Sequence, residues 1–175
     1  MSIEEIESAF PNLSGSTWRI SSDIDEAYNC IAFAVYDTQQ FWDPNIVGIP
    51  GYYWPPGVSR DDNLPSWMAV FEIHGFRVCE SGDVEAGFEK IAIYTYENHV
   101  PTHVARQLQD GTWTSKLGPD EDIEHPNPEG LDSIMYGGAE VFMRRPRADQ
   151  QREKPNQHPA PKANSSNASK IVPAE

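Results

Sequence analysis

Between Lys90 and Leu117 the chain alternates with a period of two around one strong turn, and that block limits the kind of fold available. Lys90–Tyr96 contains the apolar run Ile91-Ala92-Ile93-Tyr94, His103–Leu108 alternates, and Thr112–Leu117 returns after Asp110-Gly111. Asp-Gly between alternating segments favours a two-residue hairpin connection, which places Gln109 opposite Thr112. A further strand is predicted over Ala139–Arg144 and a short one over Phe76–Cys79. Helical patterns come earlier. Residues 3–10 are stopped by Pro11, residues 27–36 follow the acidic lead Asp23-Ile24-Asp25-Glu26, and residues 64–73 carry Pro65 near their start and Gly75 after their end. Helices first, then a mostly antiparallel sheet of four or more strands, is an α+β order rather than an alternating βαβ one.

The apolar material for a core ends near Arg144. Beyond it lie Gln, Pro, Lys, Asn, Ser and Ala with almost nothing to bury, so a single domain over residues 1–145 and a disordered tail over residues 146–175 are expected. Charge divides at the same place. Residues 1–143 hold 24 acidic and six basic residues, a formal charge of −18, whereas residues 144–175 hold seven basic and three acidic ones. A body this acidic repels phosphate backbones and anionic lipid, so neither nucleic acid nor membrane is an expected partner. A small molecule or a peptide is. Met1–Phe10 is acidic and lacks the basic start and apolar centre of a secretory signal. Two cysteines, Cys30 and Cys79, are too few for a disulfide framework. Cytoplasmic location with free thiols is the resulting expectation.

Two regions stand out as candidates for function. Residues 41–63 interleave Phe41, Trp42, Tyr52, Tyr53 and Trp54 with four prolines, which forbids a regular helix. This is a long ordered loop fixed by its rings, serving either as a binding surface or as a cover over the core. The second region is Tyr28-Asn29-Cys30-Ile31-Ala32-Phe33-Ala34. It puts Cys30 about one turn inside a helix, where terminal N–H groups favour a thiolate and Asp25 and Glu26 oppose it. His103 opens a predicted strand that sets His103, Ala105 and Gln107 on one face and Val104, Arg106 and Leu108 on the other. From such a strand end an imidazole can face a helix N-terminus, as a Cys–His pair requires. Cysteine is also among the most buried residue types, so Cys30 reads equally as core.

The order of these elements resembles the papain-like cysteine hydrolases, in particular the bacterial cell-wall branch of NlpC/P60 and CHAP domains. Asn29-Cys30-x-x-Phe33-Ala34 is similar to their Cys-helix start and Gly87–Tyr94 to their first core strand. His103–Ser115 resembles their His strand, hairpin and return strand. The resemblance implies Cys30 as nucleophile, His103 as base and Ser115 in the place of the residue that orients the His, with residues 41–63 an insertion. It also implies an oxyanion pocket from the Cys30 N–H helped by Tyr28 or Asn29. Thr112–Gly118, Ile123-Glu124-His125 and Tyr136-Gly137 are similar, in addition, to a bacterial domain family of unknown function.

Two functions follow from different classes. One is a thiol hydrolase or acyltransferase acting on amide or ester bonds through Cys30 and His103. The other is a non-catalytic binding or interaction module on the same scaffold. No cofactor or metal is implied: phosphate-loop, nucleotide and zinc-hydrolase motifs are missing, and Asp120, Glu121, Asp122 and Glu124 lack the spacing of a calcium loop. Lys116, amid those carboxylates, reads as an ion-paired surface residue.

Overall fold

A computed structural model describes residues 1–148. The expected tail falls mostly on residues 149–175, outside the described residues. The last strand runs on to Pro146.

The period-two block becomes the middle of a seven-stranded sheet. Its strands are β1 (Arg19–Ile20), β4 (Arg77–Cys79), β5 (Phe88–Tyr96), β6 (Val100–Gln107), β7 (Trp113–Lys116), β8 (Asp122–His125) and β9 (Gly138–Pro146), in the spatial order β1-β8-β7-β6-β5-β9-β4. Every neighbouring pair is antiparallel. The expected α+β architecture is present, with a sheet wider than the sequence suggested. The acidic stretch after Gly118, for which no strand is predicted, contains β8, and β1 pairs with it through Arg19↔Glu124 and Ile20↔Ile123. The hairpin also differs in register. Gln107 pairs with Trp113 and the Leu108 N–H donates to the Thr112 carbonyl, so the connection has three residues rather than two. Gly111, at φ 93°, supplies the left-handed residue that a three-residue connection needs. The Asp110 carboxylate fixes the turn by accepting from the Thr112 N–H and hydroxyl.

β5 is buried on both faces, which explains its unbroken apolar run. Ile91 and Ile93 meet Val104 and Met143 on one face, under α2 (Cys30–Ala34), α3 (Leu64–Ile73) and the aromatic loop. Ala92 and Tyr94 meet Ala105, Trp113 and Ile123 on the other, under α1 (Ile3–Ala9) and the 3-10 turns Pro11–Leu13 and Pro128–Leu131. The second of these turns ends at Leu131. After it, the chain makes a tight reversal in which Ser133 and Gly137 exchange backbone hydrogen bonds. Gly137 (φ 69°) presses so closely on β5 that a Cβ there would stand 1.8 Å from the Thr95 carbonyl oxygen.

α2 is shorter than its apolar sequence suggested. It starts at Cys30, capped by Asn29, and Asp25 and Glu26 lie outside it. The reason is a competing tertiary bond set. Asn29 Oδ1 accepts from the Ala32 N–H (3.3 Å) and from the Trp42 N–H (3.2 Å), while Nδ2 donates to the Trp42 carbonyl (2.8 Å). One side chain thus starts the helix and ties down the 41–63 loop, whose Phe41–Trp42 (β2) and Tyr52–Tyr53 (β3) form a two-residue parallel pair. Trp42 and Trp54 point into the core with Trp67 of α3. Asn29→Ala removes a cap and two buried bonds, and is expected to lower unfolding free energy by about 2–4 kcal/mol. Urea denaturation followed by tryptophan fluorescence measures it.

Candidate functional site

At its start, α2 meets the sheet where two strands part. β6 begins at Val100, but its pairing with β7 stops at Arg106↔Thr114. Cys30 packs into this region: its sulfur faces the Val104 main-chain N–H, and the N–H groups of Cys30 and Ile31 also point to it. The surroundings are Ile93, Val104 and neighbouring apolar side chains. Burial outweighs the N–H groups and pushes the thiol up to about 11.

His103 takes the other face. Its alternation with Val104 is as read from sequence, but α2 covers the Val104 face, and His103 belongs with Tyr94 and Ala105. Its ring stacks on Tyr136 with centroids 4.2 Å apart and planes 2° apart, and lies 5.3 Å from Tyr94. Nε2 has no hydrogen-bond partner. Burial, helped by the proximity of His125, lowers its pKa to about 3. The structure therefore does not join Cys30 to His103 as a hydrogen-bonded pair.

Ser115 likewise has a different partner from the expected one. Trp113 and Ser115 of β7 share a face with Ile123 and His125 of β8, through the pairs Trp113↔His125 and Ser115↔Ile123. His125 Nδ1 lies 2.7 Å from the Asn127 carbonyl oxygen, which can only accept, so Nδ1 carries the proton. Nε2 is then free to accept from the Ser115 hydroxyl at 3.0 Å. Ser115 holds His125, not His103. This Ser–His–carbonyl chain has the connectivity of a nucleophile, base and orienter. Both side chains are sealed, however, Ser115 at 0% and His125 at 1% exposure, and burial lowers the His125 pKa to about 4. Sequence reasoning passed over His125 because it follows four carboxylates. The alternation in Asp122-Ile123-Glu124-His125 was the signal that places it beside Ser115.

The two residues expected to line an oxyanion pocket are engaged elsewhere. Asn29 is the cap and loop clamp. Tyr28 donates its hydroxyl to Asp122 Oδ2 (2.8 Å), and the ring carries Lys116 Nζ 4.5 Å from its centroid. Lys116 is fully buried rather than on the surface, and Asp122 is its ion-pair partner at 3.7 Å. Among the described residues no group of three or more His, Cys, Asp or Glu is placed to hold a metal. No helix among them is long and apolar enough to cross a membrane.

Two sealed histidines give the fold a pH dependence whose sign is fixed. Their folded-state pKa values, about 3 and about 4, lie below the ordinary ~6.5 of an unfolded chain. The stability they support is complete above that value and is lost as pH falls through it toward 4. Each contributes up to about 1.4 kcal/mol per pH unit in that window. His103→Phe, which keeps a ring on Tyr136, is expected to roughly halve the slope of unfolding free energy against pH between 6.5 and 4.5, as measured by urea titration.

The model of a family described as a domain of unknown function, DUF7689, matches residues 19–144, from β1 almost to the end of β9. No curated protein and no solved structure matches the chain. The matched span takes in α2, the aromatic loop and the buried Ser115–His125 and His103–Tyr136 contacts. The chain belongs to the DUF7689 family.

Proposed function

We propose that this domain is a non-catalytic binding module. The observation that carries the reading is the setting of Cys30: its sulfur is packed against the β6 backbone, and burial holds it in the thiol form at neutral pH. A nucleophile needs a thiolate or a base in contact with the sulfur. His103 and His125, the two histidines in the strands of the sheet, make their contacts with Tyr136 and Ser115 instead. A helix–strand order shared with papain-like hydrolases is what a scaffold of that ancestry would keep without their chemistry, and such ancestry is part of this proposal. The 41–63 loop fits the role of a cover, since Trp42 and Trp54 are core residues and Val47, Ile49 and Tyr52 are its exposed large apolar side chains. The partner in this reading is a small molecule or a peptide.

Mass-spectrometric alkylation of each cysteine with iodoacetamide across pH 5–9 tests it. In the folded chain Cys30 is expected to stay unmodified below pH 8.5 and to react only on unfolding, with the same profile in His103→Ala. Alkylation of Cys30 near pH 7 that disappears in His103→Ala would restore the thiol hydrolase or acyltransferase.

A further inference from the structure

At the far end of α2 the chain adopts a conformation that its residue type disfavours. Val35 caps the helix, the Tyr36 N–H donates to the Phe33 carbonyl (3.1 Å) and the Asp37 N–H to the Ala32 carbonyl (3.0 Å). These bonds close a Schellman turn with Tyr36 at the left-handed position, φ 68°, where glycine is the usual residue. The side chain accounts for the choice. The Tyr36 ring lies 3.8 Å from the Arg106 guanidinium carbon, and the hydroxyl donates to Glu89 Oε2 at 2.6 Å. A strained residue so placed points to function.

Tyr36 forms one wall of a cavity of ≈ 430 Å³, with Glu89, Gln109, Arg145 and Arg147 among the others. The charge around it is opposite to that of the domain. Residues 1–148 hold nine basic and 24 acidic residues, yet two of the nine, Arg145 and Arg147, line this cavity, and a third, Arg106, lies behind its Tyr36 wall. Arg145 pairs with Glu89 and also donates to the His74 carbonyl. Arg147 donates to the Leu108 carbonyl at 3.2 Å and has no carboxylate partner among the described residues. Arg106, only 9% exposed, sits between the Phe33 and Tyr36 rings, its Nε has no hydrogen-bond partner, and no described carboxylate pairs with it. The two lining guanidinium groups therefore face one carboxylate, Glu89, which is already held by Arg145 and the Tyr36 hydroxyl, and Arg106 adds a third positive charge behind the Tyr36 ring.

We propose that this cavity binds the oxyanion head, phosphate or carboxylate, of a small molecule. The inference deepens the binding-module reading and rests on it. Guanidinium groups present forked N–H donors that match both oxyanions, and the half-exposed Tyr36 ring gives the body of the ligand an apolar wall. The surrounding carboxylates exclude a polyanion such as nucleic acid, whose further charges would extend over them. A compact ligand carries its charge only where the arginines are.

Inorganic phosphate, phenyl phosphate and benzoate, titrated at low ionic strength into the full ¹⁵N-labelled chain, test the site by NMR. Saturable shifts are expected at Tyr36, Arg145 and Arg147. Arg147→Gln is expected to weaken binding by about tenfold with the thermal midpoint unchanged, because its side chain makes one peripheral bond. Tyr36→Gly relieves the turn, so it is expected to hold or raise the midpoint while weakening phenyl phosphate and benzoate. Saturation by the two phosphates alone assigns a phosphate head, and saturation by benzoate as well extends the site to carboxylates. No saturable shift from any probe, or equal affinity in Arg147→Gln, overturns the inference. Cys30 alkylation on the same sample separates the two failures: a shielded thiol with no anion binding rejects this site alone, whereas a reactive, His103-dependent thiol rejects the reading beneath it.

Discussion

Everything in this fold answers to the burial of β5 on both faces. A strand with Ile91 and Ile93 on one side and Ala92 and Tyr94 on the other is stable only if two separate layers cover it. The N-terminal helix and the two 3-10 turns make one layer. The second is harder to build, because α2 has only five residues and an isolated helix of that length does not form in water. The aromatic loop completes it. Trp42, Trp54 and Trp67 fill the space that a longer helix would occupy, and Asn29 joins loop and helix through their backbones.

That architecture bears directly on the chemistry. A thiol at the first residue of a helix would ordinarily be exposed to the terminal N–H groups and to solvent. Here the same residue is wedged beside Val104, and desolvation governs its ionisation. The histidines are sorted by the pleat onto the opposite face, against Tyr136 and Ser115, where burial holds them in the neutral form. Residues with catalytic names are thus present but sealed, and the two histidines stabilise the domain only above the pH at which they would charge.

Much of the fold was legible because its signals are local. Alternation in 90–96 and 103–108, Gly75 after α3 and Pro65 near its start each follow from backbone sterics within a few residues. Three departures trace to side-chain bonds that a sequence pattern does not show. The Asp25-Glu26 lead resembled a helix N-terminus, yet Asn29 won because its side chain also binds Trp42, thirteen residues on. β8 was hidden because its carboxylates belong to partners outside the strand, Asp122 to Tyr28 and Lys116, Glu124 to Arg19. The hairpin slipped by one residue because Asp110 bonds Thr112 and draws it into the turn. That Cys30 and His103 share no hydrogen bond in the structure could not be read from the strand pattern, since alternation shows which residues share a face but not which face a helix covers.

The cations on the α2 face account for the difference between its two ends. Lys116 lies over Tyr28 near the helix start and Arg106 over Phe33 and Tyr36 near its end, so two cation–ring contacts bracket five residues. At the start a positive charge opposes the helix dipole, and Asp122 compensates by pairing with Lys116 and accepting from Tyr28. At the end a positive charge agrees with the dipole, and Arg106 needs no carboxylate to be tolerated there. The available acid, Glu89, is committed to Arg145 and Tyr36. One end of α2 is therefore electrostatically closed, while the other keeps more positive charge than its own side chains neutralise. In a domain whose remaining surface is acidic, that imbalance is where an anion has the most to gain.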